Sequence, residues 1–539
     1  MGRVRRWGRR AGLFVFAVVA VLASVTPAHA QPGPIQLSPT HGPVGATVTI
    51  TGTGLLTTTA VSFGSVPAHF DRVSDERVDA VVPPDAPTDL VHVDTLDGSV
   101  SSDAPFVVQP NIVMILTDDQ RWDTLSYMPT VESELVAHGV TFSNAFVENP
   151  LCCPSRASFL TGQDSHTTGV YANDGDFGGF AAFDDTSTIA TSLHDAGYYT
   201  FFTGKYLNQY WDTGGLYMPP GWDRWRAFAS IAPYFDYDVS LNGTAVESYG
   251  SDPSDYSTDV IAGYADDVIR NASSQQPLLL WIAPFAPHTP FTPAPRDAGT
   301  LPGLDPWRPP SYNEPNMLDK PAYMQAHPSL SVDEQARIDG VREEQLEALG
   351  AVDDAVGTIV DDLAATGRLG DTIIIYASDN GFLWGEHRLD GKTVPYEESI
   401  RIPFVLRWDR LANVPRTDTS LVQNVDVVPT LLEAAGAGGG GFDGMSLMPL
   451  LTERSTKWRS HMLIEHSGSG PPDYCGDRTP NDILIHYATG EEEYYRVGRA
   501  DPYELTNRIS KPKFQRRIGN LRSKLRTMCS PLPPNMPAF

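Results

Sequence analysis

Cysteine is nearly absent from this chain, with four in 539 residues. So few cannot form a disulfide scaffold, and no CxxC spacing offers a structural zinc site. Basic residues are also scarce, 39 Lys and Arg against 66 Asp and Glu. Five arginines (Arg3, Arg5, Arg6, Arg9 and Arg10) crowd the first ten residues, which leaves 34 basic residues against 66 acids, or −32, for the remainder. That balance repels phosphate backbones and excludes general nucleic-acid binding. Beyond the N-terminus no segment reaches about 18 uninterrupted apolar residues, the length of a membrane span. With 41% hydrophobic and 19% charged residues the composition is that of a globular chain, not a disordered one.

The apolar stretch Ala11 to Val25 follows the arginines and precedes Ala28-His29-Ala30. A basic head, a short apolar run and a small-x-small pattern read as a signal peptide over residues 1–30. Arg9-Arg10 leaves twin-arginine export open beside the general route. The expectation is a secreted or extracytoplasmic protein with no stable membrane span in the mature chain. Cell-surface association is left open.

Residues 31–109 change character. Runs such as Ala46-Thr47-Val48-Thr49-Ile50-Thr51 alternate apolar and polar positions, and turn signals recur at Gly42-Pro43, Gly52-Thr53-Gly54, Pro83-Pro84 and Asp97-Gly98. Short half-buried strands with regular turns predict a β-sandwich. Leu37-Ser38-Pro39-Thr40-His41-Gly42-Pro43-Val44-Gly45, with Val61-Ser62-Phe63-Gly64 further on, resembles an IPT/TIG immunoglobulin-like domain. The resemblance brings no catalytic residues, so this unit binds or spaces.

From residue 110 to about 440 the pattern changes again. Ile112 to Leu116, Tyr199 to Phe202, Leu278 to Ile282 and Ile373 to Tyr376 are continuously apolar, as strands covered on both faces are. Leu346, Leu349, Val352, Val356, Ile359, Val360 and Leu363 mark an amphipathic helix that Gly367 is placed to end. The alternation predicts an α/β domain with a large, mixed, mainly parallel sheet flanked by helices. Residues 441–539, after a glycine-rich loop, read as a small C-terminal α+β subdomain.

Polar residues collect where the apolar runs stop: Asp118-Asp119, Lys205, His288 and Asp379-Asn380. Each alone is an ordinary turn or cap residue. Together they fit the carboxyl edge of an α/β sheet, where ligands bind. Asp118, Asp119, Asp379 and Asn380 offer only oxygen donors, which select calcium or magnesium over zinc; an irregular oxygen-rich shell outside the cell favours calcium. Lys205 and Lys392 suit the oxygens of an anionic ester. Up to this point the residues leave phosphate and sulfate esters equally open.

Cys152-Cys153-Pro154-Ser155-Arg156-Ala157-Ser158-Phe159-Leu160-Thr161-Gly162 resembles the sulfatase signature. In that family the first cysteine of C-x-P-S-R is oxidised to formylglycine by a formylglycine-generating enzyme. Cys152 is the matching position, and it joins the metal ligands. Thr203-Gly204-Lys205-Tyr206-Leu207-Asn208, Ala286-Pro287-His288-Thr289-Pro290, Gly385-Glu386-His387 with Gly391-Lys392, and Asp501 to Asn507 resemble further family segments. The resemblance implies an alkaline-phosphatase-like fold and a sulfuric ester hydrolase. In it Arg156 orients the hydrated aldehyde, Lys205 and Lys392 stabilise sulfuryl oxygens, and His288 protonates the leaving alcohol. His166, Asn208 and His387 are candidate substrate-binding residues. Many sulfatases carry a histidine where Leu207 stands here, and the G-K-Y-L-N version is most similar to the glucosamine-6-sulfatase branch. That favours a sulfated amino sugar such as N-acetylglucosamine-6-sulfate in a glycosaminoglycan. A phosphomonoester or phosphonate-ester hydrolase of the same superfamily and a non-catalytic surface-binding protein are the alternatives. Cys475 and Cys529 are left over, and export makes a disulfide between them available without showing that they are in reach.

Overall fold

Alternation of Thr with Val and Ile makes Thr47–Thr51 a half-buried strand: Val48 and Ile50 are fully buried and the threonines turn outward. In this computed structural model, which describes residues 1–2, 31–231, 234–452 and 457–539, that strand belongs to a sandwich of two four-stranded sheets. One contains Gln36–Ser38, Thr47–Thr51, Arg77–Val81 and Phe70–Ser74; the other contains Val66–Pro67, Thr58–Phe63, Val91–Thr95 and Gly98–Ser101. Ile50, Phe63, Val78, Val91 and Phe106 fill the space between them, with Phe63 edge-on to Phe106 at 5.2 Å. Most of the proposed signal peptide, residues 3–30, lies outside the described residues. Among the described residues no helix is long and apolar enough to cross a membrane.

The central sheet has eight strands: β1 (Asn111–Thr117), β2 (Gly139–Phe142), β3 (Tyr199–Gly204), β4 (Arg224–Ala227), β5 (Leu278–Ala283), β6 (Thr372–Ser378), β7 (Phe404–Arg407) and β8 (Arg416–Asp418). Their order in space is β4-β3-β5-β1-β6-β7-β2-β8. Only β7 runs antiparallel to its neighbours, β6 and β2, so the sheet is mixed and mainly parallel. Every residue of β1, β5 and β6 is buried, which explains why these strands lack polar alternation. Met114 and its face of the sheet pack with helix α1 (Cys152–Thr161), while Val113 and Ile115 on the other face pack with α2 (Ser257–Asn271) and α3 (Val332–Ala365).

Helix α3 extends the sequence expectation by fourteen residues at its start. The added turns are capped by Ser331, whose hydroxyl accepts from the Glu334 amide while Glu334 reaches back to the Ser331 amide. Gly367, at φ +73°, follows the last cap residue. C-terminal strands β9 (Met462–His466), β10 (Tyr474–Arg478), β11 (Ile483–Tyr487) and β12 (Glu492–Tyr495) form an antiparallel meander. One face, with Ile464, Tyr474 and Ile485, packs on catalytic-domain residues such as Tyr396. The opposite face carries helix α4 (Gln515–Met528), tied down by a disulfide between Cys475 and Cys529.

The sandwich meets the large sheet at its amino edge. Asp371, just before β6, pairs with Arg410 at 2.8 Å and accepts the Val44 amide at 3.4 Å. Arg410 in turn donates to the Ala86 carbonyl at 3.0 Å.

Candidate active site at the carboxyl edge of the sheet

Strands β3, β5, β1 and β6 are adjacent and parallel, so all four end on one edge. That edge receives Asp118 and Asp119 after β1, Lys205 after β3, His288 after β5, and Asp379 and Asn380 after β6. Asp118, Asp379 and Asn380 have no exposed surface, and Asp119 very little. Asp119 sits at φ +66°, a left-handed conformation that costs energy in a non-glycine residue and marks a shape imposed by its surroundings. Its amide donates to Asp379 Oδ1 at 3.1 Å, so two strand ends are stitched together there.

Helix α1 brings the cysteine. Leu151 is the cap residue, Cys152 opens the helix, and all ten helical residues are buried. Pro154 is tolerated because a first-turn amide has no helical partner to lose. Arg156 lies four residues on, one turn above Cys152 on the same face, which is the physical content of the C-x-P-S-R spacing. Its Nε donates to Asp379 Oδ2 at 2.7 Å, its Nη1 donates to the Lys205 carbonyl at 2.9 Å, and Nη2 is 3.5 Å from Asp118. Ser158 anchors the helix by donating to Glu148 at 2.7 Å.

Cys152 Sγ is 3.6 Å from Asp118 Oδ1 and 2.7 Å from Lys392 Nζ. Lys392 also bonds Asp119 and approaches Asn380 Oδ1 at 3.5 Å, while Lys205 bonds Asp118. Burial opposes ionisation of Asp118, but Lys205, His288, Arg156 and Lys392 together hold its carboxyl far below the usual range. Burial and the neighbouring Asp118 push Asp379 up to about 6. Burial pushes the Cys152 thiol up to about 11, despite Lys205 and Lys392, so an unmodified thiol here is protonated at neutral pH and a weak nucleophile.

His288 Nδ1 donates to the Thr289 carbonyl at 2.8 Å, which leaves Nε2 facing Asp119 Oδ2 at 3.8 Å. The ring lies against Phe285, and Tyr234 holds its backbone carbonyl at 2.7 Å. Ligand atoms of Asp118, Asp119, Cys152 and His288 lie within 4.8 Å of one another. Asn380 Nδ2 donates to Asp119 and to the Gly381 carbonyl, which turns its amide oxygen toward the same space. A hard divalent cation fits this donor set, and the two ammonium groups already on Asp118 and Asp119 show that the carboxylates demand positive charge.

The remaining candidates make other contacts. His387 is completely buried, stacked on Tyr396 at 4.2 Å with Nδ1 on Glu314 at 2.7 Å. It stands behind the loop that carries Lys392 and presents no surface. His166 is tied to Glu465 through its backbone amide and Nδ1, both at 2.9 Å. Asn208 has a buried side-chain oxygen with no hydrogen-bond partner among the described residues. Leu207 is buried in the core and brings no polar group to the edge.

Sequence reading missed the brace behind Lys392. Arg121, 1% exposed, pairs with Asp123 at 2.9 Å and Glu386 at 3.0 Å and lies over the Trp384 ring at 4.4 Å. Tyr474 donates to the Thr393 carbonyl at 2.9 Å from the C-terminal sheet. The signal was there, since Arg121 follows Asp118-Asp119 and Glu386 precedes Lys392 by six residues, but pairing across 265 residues leaves no local pattern.

Residues 110–437 match the sulfatase family profile, more than half of the chain. The chain belongs to the sulfatase family. Members of this family are sulfuric ester hydrolases. Residues 385–530 match the profile of the N-sulphoglucosamine sulphohydrolase C-terminal region, and residues 35–108 match the IPT/TIG domain. The human N-acetylglucosamine-6-sulfatase is 35% identical over 376 residues, covering 67% of this chain and 68% of that protein. An extracellular sulfatase homologue of Drosophila melanogaster is 33% identical over 373 residues, covering 67% of this chain but only 33% of its own length. The chain thus spans a third of that relative. A solved structure described as in complex with its substrate D-glucosamine-2-N,6-O-disulfate superposes with a TM-score of 0.68 at 24% identity, covering 78% of this chain and 97% of that one. The fold is that of the sulfatases, an alkaline-phosphatase-like sheet with flanking helices, preceded by an immunoglobulin-like domain.

Proposed function

We propose that this protein is a secreted, calcium-dependent sulfatase that hydrolyses the sulfate ester of a sulfated amino sugar, such as N-acetylglucosamine-6-sulfate in a glycosaminoglycan. One observation carries the reading: Cys152, in the register of C-x-P-S-R, opens a buried helix within reach of Asp118 and Lys392. Formylglycine at position 152, made by a formylglycine-generating enzyme, would supply an aldehyde hydrate, an oxygen nucleophile whose ester can be released again. Asp118, Asp119, Asp379, Asn380 and residue 152 would hold calcium, which would neutralise charge on the ester.

The chain's own residues do the rest. Arg156, fixed by Asp379 and the Lys205 carbonyl, orients residue 152. Lys205 and Lys392 bind the non-bridging sulfuryl oxygens and stabilise charge that grows there in the transition state. His288 Nε2 faces the cleft; with Nδ1 donating to the Thr289 carbonyl, the ring gives the departing sugar oxygen a proton only as imidazolium, a charge that burial opposes and Asp118 and Asp119 favour. The relatives named for N-acetylglucosamine-6-sulfate and the neighbour holding a disulfated glucosamine support the sugar class, and the extracellular relative supports secretion.

The test joins two measurements on active protein. A mass spectrum of the peptide spanning residue 152 should show formylglycine. Chelation should abolish hydrolysis of N-acetylglucosamine-6-sulfate, and calcium should restore it. Fully active enzyme with unmodified Cys152, or faster turnover of the matched phosphate ester, overturns the proposal.

A further inference from the structure

Eight of the chain's 39 Lys and Arg fall within residues 505–539, where there is no Asp or Glu. The structure divides them. Ile518, Leu521 and Leu525, at steps of three and four, are buried and fix the face of α4 that meets the C-terminal sheet. Arg517 and Arg522 flank that stripe and pair with Asp482 at 3.0 Å and Glu492 at 2.6 Å. Arg508 pairs with Asp501 at 3.5 Å. Lys511, Lys513, Arg516, Lys524 and Arg526 are exposed, and none has a carboxylate partner within 4.0 Å among the described residues.

Helix stability accounts for Arg526, in the last turn, but not for the three cations at the other end. The first turn of α4 has no acid, and Lys511, Lys513 and Arg516 gather at its positive end, where the helix dipole disfavours cations. Gly519, Asn520, Ser523 and Thr527 are exposed with them, so this face offers charge without an apolar surface to enter a bilayer. On a chain of net charge −27 it is a local exception, and it complements a polyanion that the rest of the surface repels.

We propose that the outer face of α4, with the turn before it, is an exosite for a sulfated polysaccharide and holds the chain whose sulfated sugar enters the catalytic site. This rests on the sulfated-sugar reading above. The helix covers the outer face of the sheet whose inner face reaches the Lys392 loop through Tyr474 and Thr393. A full layer of structure therefore separates exosite from active site, which suits a polymer and not a single sugar.

The experiment uses the mature full-length enzyme and a variant with Lys511→Gln, Lys513→Gln, Arg516→Gln, Lys524→Gln and Arg526→Gln. Retention on immobilised heparin is read against sodium chloride concentration, beside kcat/KM on heparin and on N-acetylglucosamine-6-sulfate. Wild type should be retained and elute with salt, and the variant should elute much earlier. Removing several ionic contacts should weaken polymer binding by about tenfold or more. Turnover of the monosaccharide should not change. Equal retention of both proteins overturns the exosite. So does binding to phosphatidylserine vesicles without binding to heparin, which would make the face a membrane contact. An enzyme that cleaves no sulfate ester yet loses heparin retention in the variant would leave the exosite standing and sink the functional reading instead.

Discussion

The N-terminal sandwich and the catalytic sheet both place polar residues just after apolar strands, yet only one of them builds a site. In each four-stranded sheet of the sandwich, paired strands run antiparallel, so their ends alternate between opposite edges. Asp97, between two such strands, accepts from Thr57 at 3.1 Å, and Thr95 closes the same turn on the Gly98 carbonyl at 2.9 Å. The second bond is local, and the first only ties together the adjacent ends of two neighbouring strands. In the catalytic sheet, parallel neighbours deliver every end to one edge, and residues 261 positions apart, Asp119 and Asn380, become hydrogen-bond partners. A polar residue after a strand thus carries functional meaning only where the topology makes ends converge.

The contrast is most exposed at Cys152. Replacing it by alanine removes one buried sulfur at the start of a well-anchored helix, so folding should survive while turnover falls on the order of 10⁴-fold or more. Parallel measurements of kcat and of the thermal midpoint check this. A variant that keeps substantial turnover would show that the convergent edge is not where the reaction occurs.

His288 offers a finer break. As the proton source for the leaving group it should be worth roughly 10²- to 10⁴-fold in kcat with a sugar sulfate. With 4-nitrophenyl sulfate, whose leaving group departs unprotonated, His288→Ala should cost far less. Equal losses on both substrates would reassign His288 to binding the sulfuryl group.

How much of this was legible in the sequence follows the same divide. The strands β1, β3, β5 and β6 could be read because burial on both faces forbids polar alternation, and their polar ends could be read because they are short, local punctuation. Thr47–Thr51 could be read for the opposite reason, its alternation. The start of α3 was missed because its first turns are solvent-facing and only Ile338 and Val341 are buried apolar residues before Leu346, too few to mark a stripe, although Ser331 and Glu334 spell a capping box. The fate of His387 was not legible: Gly385-Glu386-His387 looks like a loop that meets substrate, but the ring turns inward onto Tyr396 and Glu314. Nor was the Cys475–Cys529 bond, because only the pairing of β10 with α4 brings the two together.

The smallest effect concerns strand β6, which carries an acid at each end. Asp379 at the carboxyl edge and Asp371 at the amino edge are both buried, and burial pushes each carboxyl up to about 6. Desolvation disfavours the charged form at both ends; the difference lies in what each faces. Asp379 faces Arg156 and the other site residues, whereas Asp371 faces Arg410 and the sandwich, about 26 Å away at the rise of a strand. A carboxyl whose folded-state pKa is raised contributes stability that is complete below about pH 4, and that contribution is lost as pH rises through about 6. For Asp371 the loss should reach about 2 to 3 kcal/mol. Asp371→Asn should therefore flatten the fall in unfolding free energy between pH 4 and pH 6.5, measured by denaturant titration, while the pH profile of kcat stays as it was. A shifted kcat profile in that variant would mean that the sandwich contact and the catalytic edge communicate along β6, and that the two regions are less separate than their hydrogen bonds make them.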